Sequence, residues 1–152
     1  MKYTVEIEIE VPRDRFIELF DDPANLPKWQ KGLLSFQSIS GEAGQVGAKS
    51  KLEFAFGKGT MVMIETITKR DLPSVFNGTY EAPGVFNVVN NRFVEISSQR
   101  TKWISENEFR FTTLFMKAMG IFMKSAFPKQ TQAFMQDFKA FAENGTDVRE
   151  RR

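Results

Sequence analysis

Between Phe115 and Asn144 the apolar residues Phe115, Met119, Phe122, Met123, Ala126, Phe127, Phe134, Phe138 and Phe141 recur mostly at steps of three and four. Side chains at that spacing line one face of a helix. From Gln130 to Glu143 the opposite face carries Thr131, Gln132, Gln136, Asp137, Lys139 and Glu143, which belong in water. Gly145 follows as a stop. Almost everything upstream reads as strand. A long phenylalanine-faced helix at the end of a run of antiparallel strands needs a sheet to lie against. Pro128 does not fit a helix interior, so a kink or restart is expected near Ser125–Pro128, with 115–124 as a separate turn or two.

The strands announce themselves by alternation. In residues 2–10, Tyr3, Val5, Ile7 and Ile9 face inward, and Glu6, Glu8 and Glu10 face water. Pro12 then opens a short amphipathic helix with Phe16, Ile17, Leu19 and Phe20, stopped at Asp21-Asp22-Pro23. A second short piece ends at Trp29, which reads as a core plug or a gate residue, the plug being favoured. Strands follow at 33–40, 49–56, 60–69, 74–81, 85–97 and 101–112. Leu52, Phe54 and Phe56 form an inward aromatic row, and Met61, Met63 and Glu65 lean the same way. Phe76, Gly78 and Tyr80 share a face. In the last strand Trp103, Ser105, Asn107, Phe109 and Phe111 face the helix, opposite Lys102, Ile104, Glu106, Glu108 and Arg110. The register of 85–97 stays open. Either Phe93 and Glu95 or Val94 and Ile96 join the face of Trp103.

Several chemistries are excluded. The chain has no His and no Cys, which removes Ser-His-Asp triads, Cys-His pairs, zinc sites and disulfides. No metal or other cofactor is expected, and no catalytic residue is assigned. A net charge of +2 is too small an excess to argue for nucleic acid or an anionic membrane surface. No segment approaches the roughly 20 apolar residues that span a bilayer, and the N-terminus has no signal region, so stable membrane insertion is not expected and a cytoplasmic location is. Gly41, Gly44 and Gly47 are spaced like a phosphate loop, but no Gly-Lys-Ser/Thr ending and no helix follow, so they read as a turn between strands. A single domain over 1–144 and a charged tail over 145–152 are expected, and 152 residues suffice to bury a core.

The order of elements, an α+β arrangement, resembles the START-related superfamily, also termed SRPBCC. Its members include the Bet v 1-like pollen allergens and the polyketide cyclase/dehydrase-like proteins. The landmarks that carry the resemblance are Val11-Pro12 before Phe16 and Phe20, Pro27-Lys28-Trp29 before the second strand, Gly41-Glu42 with Gly44 and Gly47 before the third, Thr101-Lys102-Trp103 into the last, and the Phe-rich closing helix. The resemblance runs over about 2–144. It implies a helix-grip fold: a curved antiparallel sheet of about six to seven strands around a long C-terminal helix, with two short helices after the first strand. It also implies an apolar pocket between sheet and helix.

The pocket residues expected on this basis are Phe54, Phe56, Met61, Met63, Glu65, Phe76, Tyr80, Trp103, Ser105, Asn107, Phe109, Phe127, Phe134 and Phe138, with Phe111 and Phe141 on the same walls. Sixteen Phe and seven Met supply the surface. Burying one such side chain is worth roughly 1.5–3 kcal/mol, so each serves the core with or without a ligand. The polar members Glu65, Tyr80, Ser105 and Asn107, with Glu95 if the register allows, either satisfy one another, with Glu65 and Glu95 free to point to water, or orient a ligand hydroxyl or carbonyl. A carboxyl in an apolar cavity tends to stay protonated. The expected function is binding or transport of a small hydrophobic molecule such as a lipid or polyketide. A cyclase or dehydratase is the alternative, disfavoured by the lack of a clear acid/base pair. A chaperone-cofactor-like interaction module is the third, and it calls for an exposed apolar patch on the open sheet face, of which the outward set Lys102, Glu106, Glu108 and Arg110 shows none on the last strand.

Overall fold

A computed structural model describes residues 1–150. Seven antiparallel strands form one sheet in the order β1-β7-β6-β5-β4-β3-β2. They are β1 (Lys2–Ile9), β2 (Leu33–Ser40), β3 (Lys49–Phe56), β4 (Gly59–Asp71), β5 (Val75–Ala82), β6 (Val85–Ser97) and β7 (Arg100–Phe111). Helices α1 (Arg13–Asp21) and α2 (Leu26–Trp29) bridge from β1 to β2, which occupy opposite edges of the sheet. Helices α3 (Leu114–Phe122) and α4 (Ala126–Asn144) follow the last strand. This is the helix-grip arrangement, and no helix among the described residues is long and apolar enough to cross a membrane.

The register fixes which side chains share the concave face. Phe93 stands opposite Trp103, so Phe93 and Glu95 take the inner face and Val94 and Ile96 the outer. Phe93 is buried, whereas Glu95, near the strand end, is exposed. Met61, Met63, Glu65 and Ile67 face inward on β4, as the methionine pattern suggests. Irregularities between Ile67 and Lys69 and between Glu95 and Ser97 bend the strands. Gly78 sits opposite Ile67 at the first of these; a Cβ there would lie 3.1 Å from the Thr66 carbonyl oxygen, so the close approach favours glycine.

The closing helical region is in two parts, as Pro128 implies. The break falls at Met123–Ser125, and Pro128 is the third residue of α4, where its missing N–H costs no helical bond. Gly145 ends α4 in the left-handed region (φ 71°), donating its N–H to the Phe141 carbonyl at 2.8 Å. Helix α4 runs alongside β1 and makes no comparably close approach to β4, β5 or β6. Its side chains close the free edge of β1: Lys139 Nζ donates to the Glu8 carbonyl (2.8 Å), and the Glu10 N–H donates to Glu143 Oε2 (2.8 Å).

Two expectations about facing fail here. Phe115, Phe122 and Met123 point to solvent, away from the sheet, because the break turns α3 onto another face. Helix α3 seats Met116 against Gly84 and Gly120 against the Phe111 ring. Phe56, at the end of β3 beside the Gly57–Lys58 turn, is also exposed. The 145–152 stretch is not all solvated, since Val148 is buried in a 3-10 turn beside α2, while Arg151 and Arg152 lie outside the described residues.

Candidate functional site

The concave face has a sealed half and an accessible half. The sealed half holds Ile9, Val11, Phe16, Trp29, Phe93, Trp103, Met135, Phe138 and Phe141, all buried together. Phe20 packs on Trp29, Phe93, Trp103 and Phe138 with ring centroids 5.0–5.9 Å apart. Trp29 is therefore the core plug its position suggests. Trp103 and Phe138 belong to this packed core and face no open space. Asn91 is part of it too, accepting the Trp103 indole N–H at 2.8 Å. Ser105 and Asn107 are buried next to it, and Asn107 Nδ2 donates to Ser105 Oγ at 2.9 Å.

Toward the other end of the sheet, side chains that face inward keep access to solvent. Tyr3, Met61, Met63, Glu65, Tyr80, Phe109, Phe111 and Phe127 are all only half-buried; Phe76 and Phe134, also half-buried, stand between the halves and pack against the sealed one. Phe127 covers Phe109 and Phe111 (4.7 and 5.8 Å), and the Tyr3 hydroxyl pairs with Thr131 Oγ1 (2.7 Å), so the first turns of α4 are pinned over β1 and β7. On the far side Phe134 reaches Phe54 (6.4 Å), which packs with Leu33 and Leu52. Between these two supports lie β4, β5 and β6.

One cross-sheet row occupies that interval. Ser50, Glu65, Tyr80, Asn87 and Phe109 are successive register partners on β3 to β7. The Tyr80 hydroxyl donates to Glu65 Oε2 at 2.7 Å. Burial raises the Glu65 pKa above its usual 4.5, and the Tyr80 hydrogen bond only partly offsets this. The Tyr80 phenol is pushed well above its usual 10 by burial, by the Glu65 charge and by the hydrogen bond itself. Burial thus favours the protonated form of the carboxyl, and the neighbouring phenol orients it. Such a pair can donate to, or accept from, a carbonyl or hydroxyl placed beside it.

Asn87, half-buried and donating to the Glu108 carbonyl at 3.2 Å, was not among the expected residues, nor was Ser50. The alternation Asn87, Val89, Asn91, Phe93 points to Asn87 once the register of β6 is known. Two surface grooves lie apart from this row. One, of about 550 Å³, is bounded by Asp14, Ile17, Glu18, Asp21, Asp22, Leu72 and Pro73; Asp21 there is held by Arg70 at 2.6 and 2.8 Å. The other, of about 440 Å³, runs beside α3 and reaches Phe111. No group of three or more carboxylates suited to a metal ion occurs among the described residues.

Seven antiparallel strands in this order, two short helices after β1 and a long helix across the concave face define the architecture. The fold is the Bet v 1-like helix-grip fold. Solved structures of this fold superpose over nearly the whole chain. The Zhui aromatase/cyclase from Streptomyces sp. R1128 gives a TM-score of 0.78 at 11% identity, covering 99% of this chain and 98% of that one. Truncated norcoclaurine synthase from Thalictrum flavum gives 0.72 at 14%, covering 95% and 94%. Ara h 8.0201 gives 0.71 at 14%, covering 93% and 97%. No protein-family model matches the sequence, and no curated protein matches it. At these identities the Bet v 1-like likeness is one of backbone, and the chemistry has to come from the residues.

Proposed function

We propose that this protein binds and carries a small apolar molecule with one polar group, such as a lipid or polyketide, between α4 and the central strands. One observation carries the reading. Aromatic and methionine side chains that face inward around the Glu65–Tyr80 pair keep solvent access, while the same face at the other end is fully packed. Apolar walls with a few convergent polar groups are the usual make-up of a small-molecule site. In this reading Met61, Met63, Phe76, Phe109, Phe127 and Phe134 contact the apolar body. Glu65 and Tyr80 bind its carbonyl or hydroxyl.

Mass spectrometry of organic extracts from the purified protein tests this directly. A stoichiometric lipid or polyketide is the expected result. An empty protein that gives no saturable binding of apolar fluorescent probes would overturn the reading. Glu65→Gln is expected to weaken binding of oxygenated ligands while the fold is kept, and unchanged affinity would remove Glu65 from the site.

A cyclase or dehydratase is the second reading, favoured by the carboxyl of raised pKa next to Tyr80 and by the aromatase/cyclase among the proteins of this fold. Glu65 would then lend its proton to a substrate carbonyl or departing hydroxyl, with Tyr80 fixing its orientation. This reading requires that Glu65→Gln abolish turnover of a bound polyketide.

A further inference from the structure

Helix α3 is apolar on the side that faces water. Leu114, Phe115, Ile121 and Phe122 are 84%, 71%, 77% and 86% exposed, and Met123 adjoins them. The helix is held from behind, where Gly120 lies on the Phe111 ring and Met116 on Gly84, and its start is capped by Thr113 Oγ1 accepting the Met116 N–H at 3.1 Å. A helix seated by these contacts and carrying large apolar side chains this exposed is not explained by folding stability.

Charge at the same place is one-sided. The net charge of the whole chain is only +2, but from Phe109 to Gln136 it carries Arg110, Lys117, Lys124 and Lys129 and no carboxylate. Lys117 and Lys124 lie on or beside α3, and with Lys2 they line the 440 Å³ groove whose apolar wall is Met1, Phe111 and Ile121. Glu108, whose carboxylate feels Lys2 and the N-terminal ammonium, is paired with Arg110 at 3.2 Å. By register Phe56, 66% exposed, and Lys58 lie at this same end of the sheet, in the β3–β4 hairpin.

We propose that this end of the molecule docks peripherally on anionic phospholipid bilayers. Leu114, Phe115, Ile121 and Phe122 enter the acyl boundary, and Lys117 and Lys124 sit at phosphate level. Apolar side chains flanked by lysines are the composition of interfacial helices. Two features favour a bilayer over a protein. Leu114, Phe115 and Phe122 protrude into solvent outside the groove beside α3, and a second copy docking the same face would bring lysines against lysines. The inference is independent of what the interior binds.

Vesicle flotation tests it, with pure phosphatidylcholine and with phosphatidylglycerol-enriched vesicles. Wild-type protein is expected to float with the anionic vesicles. Each lysine near an anionic surface is worth about fivefold in binding, so Lys117→Gln/Lys124→Gln should lower the anionic preference roughly 25-fold. Phe115→Ser/Phe122→Ser should lower binding about a hundredfold or more. Both variants alter exposed side chains, so their thermal unfolding should match wild type. Phe122→Trp gives a second readout, with emission moving to the blue on anionic vesicles. Wild-type protein that stays unbound overturns the proposal. So does a wild-type dimer that Phe115→Ser/Phe122→Ser converts to monomer, because the face is then an interface between copies.

Discussion

Tyr80→Phe isolates the one hydrogen bond at the centre of the accessible half. The substitution keeps the ring and removes the 2.7 Å donor to Glu65. A hydrogen bond to a charged group contributes about 1.5–3 kcal/mol, and one between neutral groups about 0.5–1.5. Glu65 has a folded pKa above its usual 4.5, so folding favours its protonated form. Its contribution to stability is fully present below about pH 4.5 and is lost as pH rises through the raised folded value. Tyr80 holds that value down, so without it the raised pKa climbs further and the loss extends to higher pH. The expected cost of Tyr80→Phe is therefore about 1.5–3 kcal/mol at pH 8 and about 1 kcal/mol less at pH 4. At pH 8 that is a fall in Tm of about 3–12 °C for a domain of this size. Urea unfolding followed by the emission of buried Trp29 and Trp103 measures both conditions. Glu65→Gln should flatten the pH dependence, and the double variant should show coupling above about 0.5 kcal/mol. An equal loss at the two pH values, or additive single effects, would refute the pairing as the cause.

Other substitutions probe the supports around it. Gly120→Ala places a methyl about 2.5 Å from the Phe111 ring, so α3 must lift; faster proteolysis within 114–124 with little change in Tm is the expected result. Asn91→Leu leaves the Trp103 indole N–H unpaired in the core and should cost about 1–3 kcal/mol in urea unfolding. Arg70→Ala frees Asp21, on α1, from β4 and should cost about 1 kcal/mol, more at low salt than at high.

Much of this architecture was legible because β1 and β7 each have one wet face, so strict alternation named their inward residues. The break before α4 was legible because proline has no N–H to give. The orientation of α3 was not. Periodicity groups Phe115, Met119 and Phe122 on a shared stripe, but it does not say on which side the neighbour lies. Contacts at Gly84 and Gly120, remote in sequence, decide that. The register of β6 also escaped, since Val88 and Val89, then Asn90 and Asn91, place like residues on both faces. Only the pairing with β7 separates them, and with it come Asn91 as the partner of Trp103 and Asn87 as the neighbour of Tyr80. Phe56 continues the inward row of Leu52 and Phe54, yet the strand ends there and the wall ends with it.

The edge position of β1 has a consequence for biosynthesis. Its sheet partner is β7, and the N-terminal ammonium bonds the Phe109 carbonyl 108 positions away. On the ribosome, β2 to β6 can form as a meander while β1 waits with Tyr3, Val5, Ile7 and Ile9 uncovered. The strand that emerges first is among the last to be paired, and α4, which guards its free edge, emerges later still. Such non-local closure slows folding. A nascent chain stalled before residue 111 should present its opening strand to chaperones, and one released after residue 144 should not.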